Sequence, residues 1–113
     1  MTTSPSLQIV SSQQLTNAAA TLYTSPVATW TRIEKVTLYN SDSASHTYSI
    51  YLVPAGSTAG VTNLLVSAQR IAAGASLSDF NIPGNYLNPG DFIAAFADTG
   101  AKVVITIGGT QFS

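Results

Sequence analysis

At 113 residues with no cysteine, the chain has the length of one domain and offers neither a disulfide framework nor a thiolate metal site. Only 8% of residues are charged against 45% hydrophobic, and the formal net charge is −1. The four cations, Arg32, Lys35, Arg70 and Lys102, are too few and too scattered for the counterion-releasing face that a nucleic-acid binder needs. No stretch approaches the ~18 apolar residues of a membrane helix.

Residues 1–6 (MTTSPS) read as an extended arm, because Pro5 forbids a regular helix there. They lack a basic segment ahead of an apolar run, so no secretory signal is expected, and exit from a cell would be by lysis or assembly. Residues 7–15 alternate loosely, with Leu7, Ile9 and Ser11 on one face. Residues 17–24 (NAAATLYT) are expected as a first core strand anchored by Leu22. Their alanines also suit a helix, but Leu22-Tyr23-Thr24 runs straight into the turn signal Ser25-Pro26.

Residues 30–40 (WTRIEKVTLYN) form the clearest long strand. Val36 and Leu38 share one face, Thr37 and Tyr39 the other. Ile33 breaks this parity, and a β-bulge near Glu34 would repair it. The turn residues 40–45 (NSDSAS) lead into 46–53 (HTYSIYLV), with Tyr48, Ile50 and Leu52 facing in, and Thr47, Ser49 and Tyr51 facing out. These two strands are expected to pair as a hairpin.

A loop at 54–60 follows. Residues 62–71 (TNLLVSAQRI) fit both helical and strand spacing, and strand is favoured for consistency with the rest. Residues 76–82 alternate Leu77 and Asp79 against Ser78, Phe80 and Ile82. Asn88-Pro89-Gly90-Asp91 is a turn in which proline presets φ and glycine supplies a positive one. Residues 91–97 then form a strand with Phe92, Ala94 and Phe96 on one face. Residues 101–107 (AKVVITI) form the last core strand, with Val103, Ile105 and Ile107 inward and Gly108-Gly109 ending it. The expectation is an all-β chain: one antiparallel β-sandwich or jelly roll of about eight strands. Residues 1–16 are its N-terminal arm and possible first strand, and 17–113 the sandwich domain.

Chemistry-bearing residues are sparse. His46 is the only histidine, and with Asp42 four residues earlier it falls short of a four-ligand zinc site. No Gly-x-Ser-x-Gly elbow supports a Ser–His–Asp arrangement. The carboxylates Glu34, Asp42, Asp79, Asp91 and Asp98 sit at turns, strand ends or beside cations, where backbone capping and ion pairing are their ordinary work. Gly56 and Gly60 lack the lysine and helix of a phosphate loop. The expectation is therefore no enzyme, no catalytic residue, no cofactor and no metal. The aromatics divide between core and surface. Trp30, Tyr39 and Tyr51 fall where a side chain can stack on a sugar ring or anchor a protein interface.

Residues 20–107, about three quarters of the chain, resemble small proteins encoded among tailed-bacteriophage virion genes. Four pieces carry the resemblance: Leu22-Tyr23-Thr24-Ser25-Pro26; Glu34-Lys35-Val36-Thr37-Leu38-Tyr39-Asn40 with its serine-rich turn; Tyr48-Ser49-Ile50-Tyr51-Leu52-Val53-Pro54; and Leu87-Asn88-Pro89-Gly90-Asp91 leading through Ile93-Ala94-Ala95 to the final strand. The likeness lies in turn chemistry and strand order. It implies a virion structural protein, most like the jelly-roll decoration or cement proteins. Such a protein binds the outer surface of a phage capsid, bridges neighbouring major capsid subunits and stabilises the shell. It would be made in the host cytoplasm and reside on the virion.

The partners expected are the major capsid protein and further copies of the chain, as a dimer or trimer, with no nucleic acid and no membrane. The interface residues expected from the sequence are Leu7 and Ile9 in the arm, then an exposed edge around Trp30, Tyr39 and Tyr51. Strand addition at an open sheet edge is a further mode. The alternatives are a tail, neck or head-completion component, or a carbohydrate-binding β-sandwich module.

Overall fold

The computed structural model describes Thr3 and residues 7–113, so the expected arm at 1–6 lies outside the described residues except at Thr3. The strands are β1 (Leu7–Gln14), β2 (Ala20–Thr24), β3 (Trp30–Asn40), β4 (His46–Val53), β5 (Leu64–Ile71), β6 (Ser76–Ser78), β7 (Tyr86–Leu87), β8 (Phe92–Ala97) and β9 (Val103–Phe112), with one 3-10 turn at Val61–Asn63. They form two antiparallel sheets. The first has the order β1-β9-β3-β6, with β7 also on β3; the second has the order β2-β8-β4-β5. Both β6 and β7 line the same side of β3, so together they act as one interrupted strand. With that pair counted once, eight strands remain in the two-sheet order of a jelly roll.

Consecutive strands mostly switch sheets, and this overturns the expected hairpin. β3 pairs with β9, β6 and β7, whereas β4 pairs with β8 and β5. The chain after β3 turns a corner instead of returning alongside. Asn40, fully buried, makes that corner. Its Nδ2 donates to the carbonyls of Ala44 (2.8 Å), Ile71 (3.2 Å) and Ala72 (3.3 Å). Its Oδ1 accepts from the amide of Asp42 at 3.0 Å.

The core lies between the sheets. Ile33, Val36, Leu38, Leu87, Val103, Ile105 and Ile107 contribute from the first sheet, and Tyr48, Ile50, Val66, Ile71, Ile93, Ala95 and Ala97 from the second. Leu22 packs only against its margin. Burying each branched side chain contributes roughly 1.5–3 kcal/mol before chain entropy is subtracted. The parity break in β3 is resolved by a bulge: its pairing with β9 skips between Ile33 and Lys35, which turns Ile33 inward along with Val36 and Leu38.

Two other expectations are corrected. β9 does not end at the glycine pair but runs through it to Phe112. A side chain at Gly109 would stand 2.7 Å from the Arg32 carbonyl, so glycine lets β9 approach β3 closely at the bulge. Residues 79–82 do not continue β6. The Asp79 carboxylate accepts from the amides of Asn81 and Ile82, curls the chain outward and leaves Phe80 exposed while Ile82 turns into the core.

Candidate interaction surfaces and polar clusters

β3 is the second sheet-central strand of the first sheet, and its outward residues define that sheet's outer face. Trp30 stands across from Phe112, and Arg32 lies between Tyr86 on β7 and Thr110 on β9. The Tyr86 and Phe112 rings are 6.3 Å apart and tilted by 38°. These residues make one aromatic patch with a guanidinium in it. Lys35 and Thr37 continue the face beyond the bulge, where with Gln8, Thr106 and Gly108 they line a shallow depression of about 230 Å³. Tyr39 closes the far end, paired with Ser76 and Val104.

The five interface residues expected from the sequence do not converge on one edge. Trp30 and Tyr39 share the outer face of the first sheet but lie nine positions apart on β3, roughly 30 Å at the usual strand rise. Tyr51 belongs to the second sheet, where its ring stacks on Phe96 at 6.1 Å and 29°. β3 and β4 are interior strands, so none of the three aromatics marks an edge. Leu7 and Ile9 lie in β1, an edge strand hydrogen-bonded to β9, with Leu7 exposed and Ile9 packed against the core.

The edges discourage strand addition. The β1 pairing slips twice and Ser12 has φ 47°; the β5 pairing also slips twice and Ala68 has φ 50°; β2 slips once. The fourth edge is split between β6 and β7 by the loop that carries Phe80. Interrupted edges are poor templates for another strand.

Sequence reasoning missed Phe80 (89% exposed) and Tyr86 (58% exposed). The signal for Phe80 was present: an aspartate before it and Pro-Gly after it bracket a turn, which the apparent alternation masked. Tyr86 carried none, because its neighbour across β3 depends on long-range register.

Three polar clusters complete the inventory. His46 bridges two carboxylates, its Nε2 2.7 Å from Asp42 Oδ2 and its Nδ1 2.9 Å from Asp98 Oδ1. Both ring nitrogens are thus engaged by carboxylates, leaving neither directed at a serine hydroxyl. Hydrogen bonding to Asp42 and the nearby Asp98 charge hold the His46 pKa above its ordinary value. The same His46 bond, with the Ser43 amide, holds Asp42 below the usual carboxylate range.

In the second cluster, buried Tyr48 donates its hydroxyl to Asp79 Oδ2, and burial pushes the phenol pKa up. This pair lines a cleft of about 310 Å³ with Gln69, Leu77, Phe80 and Asn81. The third runs from Gln111 Nε2 to the Tyr23 hydroxyl (2.7 Å), then to Thr31 and Ser25, and ends on the Thr29 carbonyl. Ser25 spends its proton on that backbone oxygen. Among the described residues, no three His, Asp or Glu side chains are grouped to hold a metal ion.

No family model matches the chain, and no curated protein matches it. A solved structure does. A chain in the structure of infectious bursal disease virus Gx strain superposes with a TM-score of 0.53 over 95% of this chain. The jelly roll recurs in a viral protein. Identity is 12%, so the likeness is one of fold, and this chain spans 31% of the length of that one.

Proposed function

We propose that this chain is a structural virion protein of the decoration type, bound to the outer surface of a phage capsid and bridging neighbouring major capsid subunits. The observation that carries the reading is the strand order, a two-sheet jelly roll of the kind viral shells use, supported by the likeness of fold to a chain in the structure of a virus. The phage and decoration assignments rest on the sequence resemblance.

The surface suits attachment to protein. With 8% charged residues, its exposed faces are mostly neutral polar and apolar, and such surface costs less to strip of water than a charged one. The outer face of the first sheet supplies aromatic anchors at Trp30, Tyr86 and Phe112. Aromatic side chains with an arginine among them are the usual carriers of interface energy. We assign this face to the capsid. Tyr51, on the opposite sheet, falls outside it.

Co-sedimentation of the purified protein with undecorated phage heads tests the proposal. Saturable binding that persists at ~1 M salt is expected, because contacts made by neutral and apolar groups are little screened. Absence of binding, or wholesale release by salt, would count against it.

A further inference from the structure

The corner between β3 and β4 and the turn between β8 and β9 meet at one end of the sandwich, and one side chain joins them. Asp42 lies in the corner, Asp98 just past the end of β8, and His46 begins β4 between them. Asp42 is itself a junction. Its carbonyl accepts from the Gly74 amide at 3.1 Å, its Oδ1 accepts from the Ser43 amide at 2.7 Å, and its own amide is held by buried Asn40. Asp98 is fixed at its backbone, where its amide donates to the Thr47 carbonyl at 3.1 Å. The His46 side chain is 14% exposed, against 27% for Asp42 and 44% for Asp98.

A carboxylate is an acceptor only. Two carboxylates at hydrogen-bond distance from the two ring nitrogens therefore require a proton on each nitrogen. A neutral imidazole has one N–H. It satisfies one carboxylate and turns a lone pair toward the other.

We propose that Asp42, His46 and Asp98 form a proton-operated clasp: the imidazolium closes the β3–β4 corner onto the β8–β9 turn, and loss of one proton releases one of the two. The charged groups acting on the ring are Asp42 and Asp98, with Lys102 acting on Asp42 from the turn before β9. The closed clasp carries one positive and two negative charges, and the open one only the two negative. The formal chain charge of −1 counts His46 as neutral, so the closed form is electrically neutral overall.

The pH window follows from the directions of the shifts. His46 is raised from 6.5, so its contribution is complete below that value and is lost as pH rises through the folded-state value. Asp42 is lowered from 3.8, so its contribution is present above that value and is lost as pH falls through the folded-state one. The clasp is closed between these limits. The clasp lies at the end of the sandwich that carries Tyr39, where Ser41 is bonded to the Lys102 carbonyl through both its amide and its hydroxyl independently of the ring.

Nitrogen-15 NMR of the histidine ring, with amide exchange of residues 41–45 and 98–101 across pH, tests this. The expected result is a ring protonated on both nitrogens at pH 6, with a midpoint above 6.5. Exchange at 98–101, on the longer and more exposed of the two contacts, should step up through the same midpoint, beyond the intrinsic rise of exchange with pH, while 41–45 stays protected. Asp98→Asn should lower the midpoint and abolish the step at 98–101 while 41–45 stays tied to Asp42. His46→Gln should remove the step; if that variant does not fold, Asp98→Asn decides alone. A singly protonated ring at pH 6, a midpoint at or below 6.5, or exchange without a step would overturn the proposal.

Discussion

Replacing Asn40 with alanine should be among the most damaging polar substitutions in this protein. The side chain is fully buried and serves four backbone groups from two segments: Ala44 and Asp42 in the corner, and Ile71 and Ala72 where β5 ends. Two of these bonds are short, at 2.8 and 3.0 Å, and the Ile71 carbonyl is buried and loses a partner that water cannot replace. Two lost bonds at about 1 kcal/mol each, and one partly orphaned carbonyl at the low end of the 1–3 kcal/mol range, give a loss of about 3 kcal/mol.

In urea, with a slope of about 1.5 kcal/mol/M, the midpoint should fall by about 2 M at unchanged slope. Asn40→Asp should cost more, because it sets an acceptor where the carbonyls need a donor. Ser41→Ala, one residue on and exposed, should stay within about 0.5 kcal/mol of wild type. If Asn40→Ala unfolds within about 0.5 kcal/mol of wild type, the account of the corner is wrong.

The glycine pair in β9 should separate cleanly. Gly109→Ala, with its new carbon 2.7 Å from the Arg32 carbonyl, should lose about 1–3 kcal/mol in the same urea assay, whereas Gly108→Ala meets only the Leu7 carbonyl at 3.7 Å and should be tolerated. Tyr48→Phe strips Asp79 of its hydroxyl donor and should cost about 1–3 kcal/mol at neutral pH. Because the folded-state phenol pKa is raised, wild type should also lose stability as pH climbs past about 10, and the variant should lack that component, as a pH series of melts would show. On phage heads, the pair Trp30→Ala and Tyr86→Ala should weaken binding by at least about tenfold while Tyr51→Ala changes it less than about threefold. Equal losses from both faces would remove the assignment of the first sheet to the capsid.

The strands were legible in the sequence because period-two alternation and turn residues are local properties. Val36, Leu38, Tyr48 and Ile50 point where alternation sends them, and even the bulge at Glu34 follows from the parity of Ile33. What was not legible is which sheet each strand joins. Asn-Ser-Asp-Ser-Ala-Ser signals that the chain turns, but a hairpin and a corner use the same residue types. The difference lies in Asn40 reaching the end of β5, more than thirty positions away.

The candidate surface was half visible for the same reason. Trp30 and Tyr39 could be read as outward-facing, yet Phe112 and Tyr86 arrive beside Trp30 and Arg32 through register between distant strands. Tyr51 looked like their companion because hairpin pairing would have placed it beside them; sheet switching puts it on the opposite face. His46 and Asp42 were recognisable as a local pair, whereas Asp98 joins them only through the packing of β8 against β4.

The most direct test of the central claim is a reconstruction of the decorated particle at side-chain resolution. The account predicts a jelly roll across the boundary between neighbouring capsid subunits, with Trp30, Tyr86 and Phe112 turned toward the shell and Tyr51 turned away. Density confined to the tail vertex, or a jelly roll seated on the Tyr51 face, would contradict it.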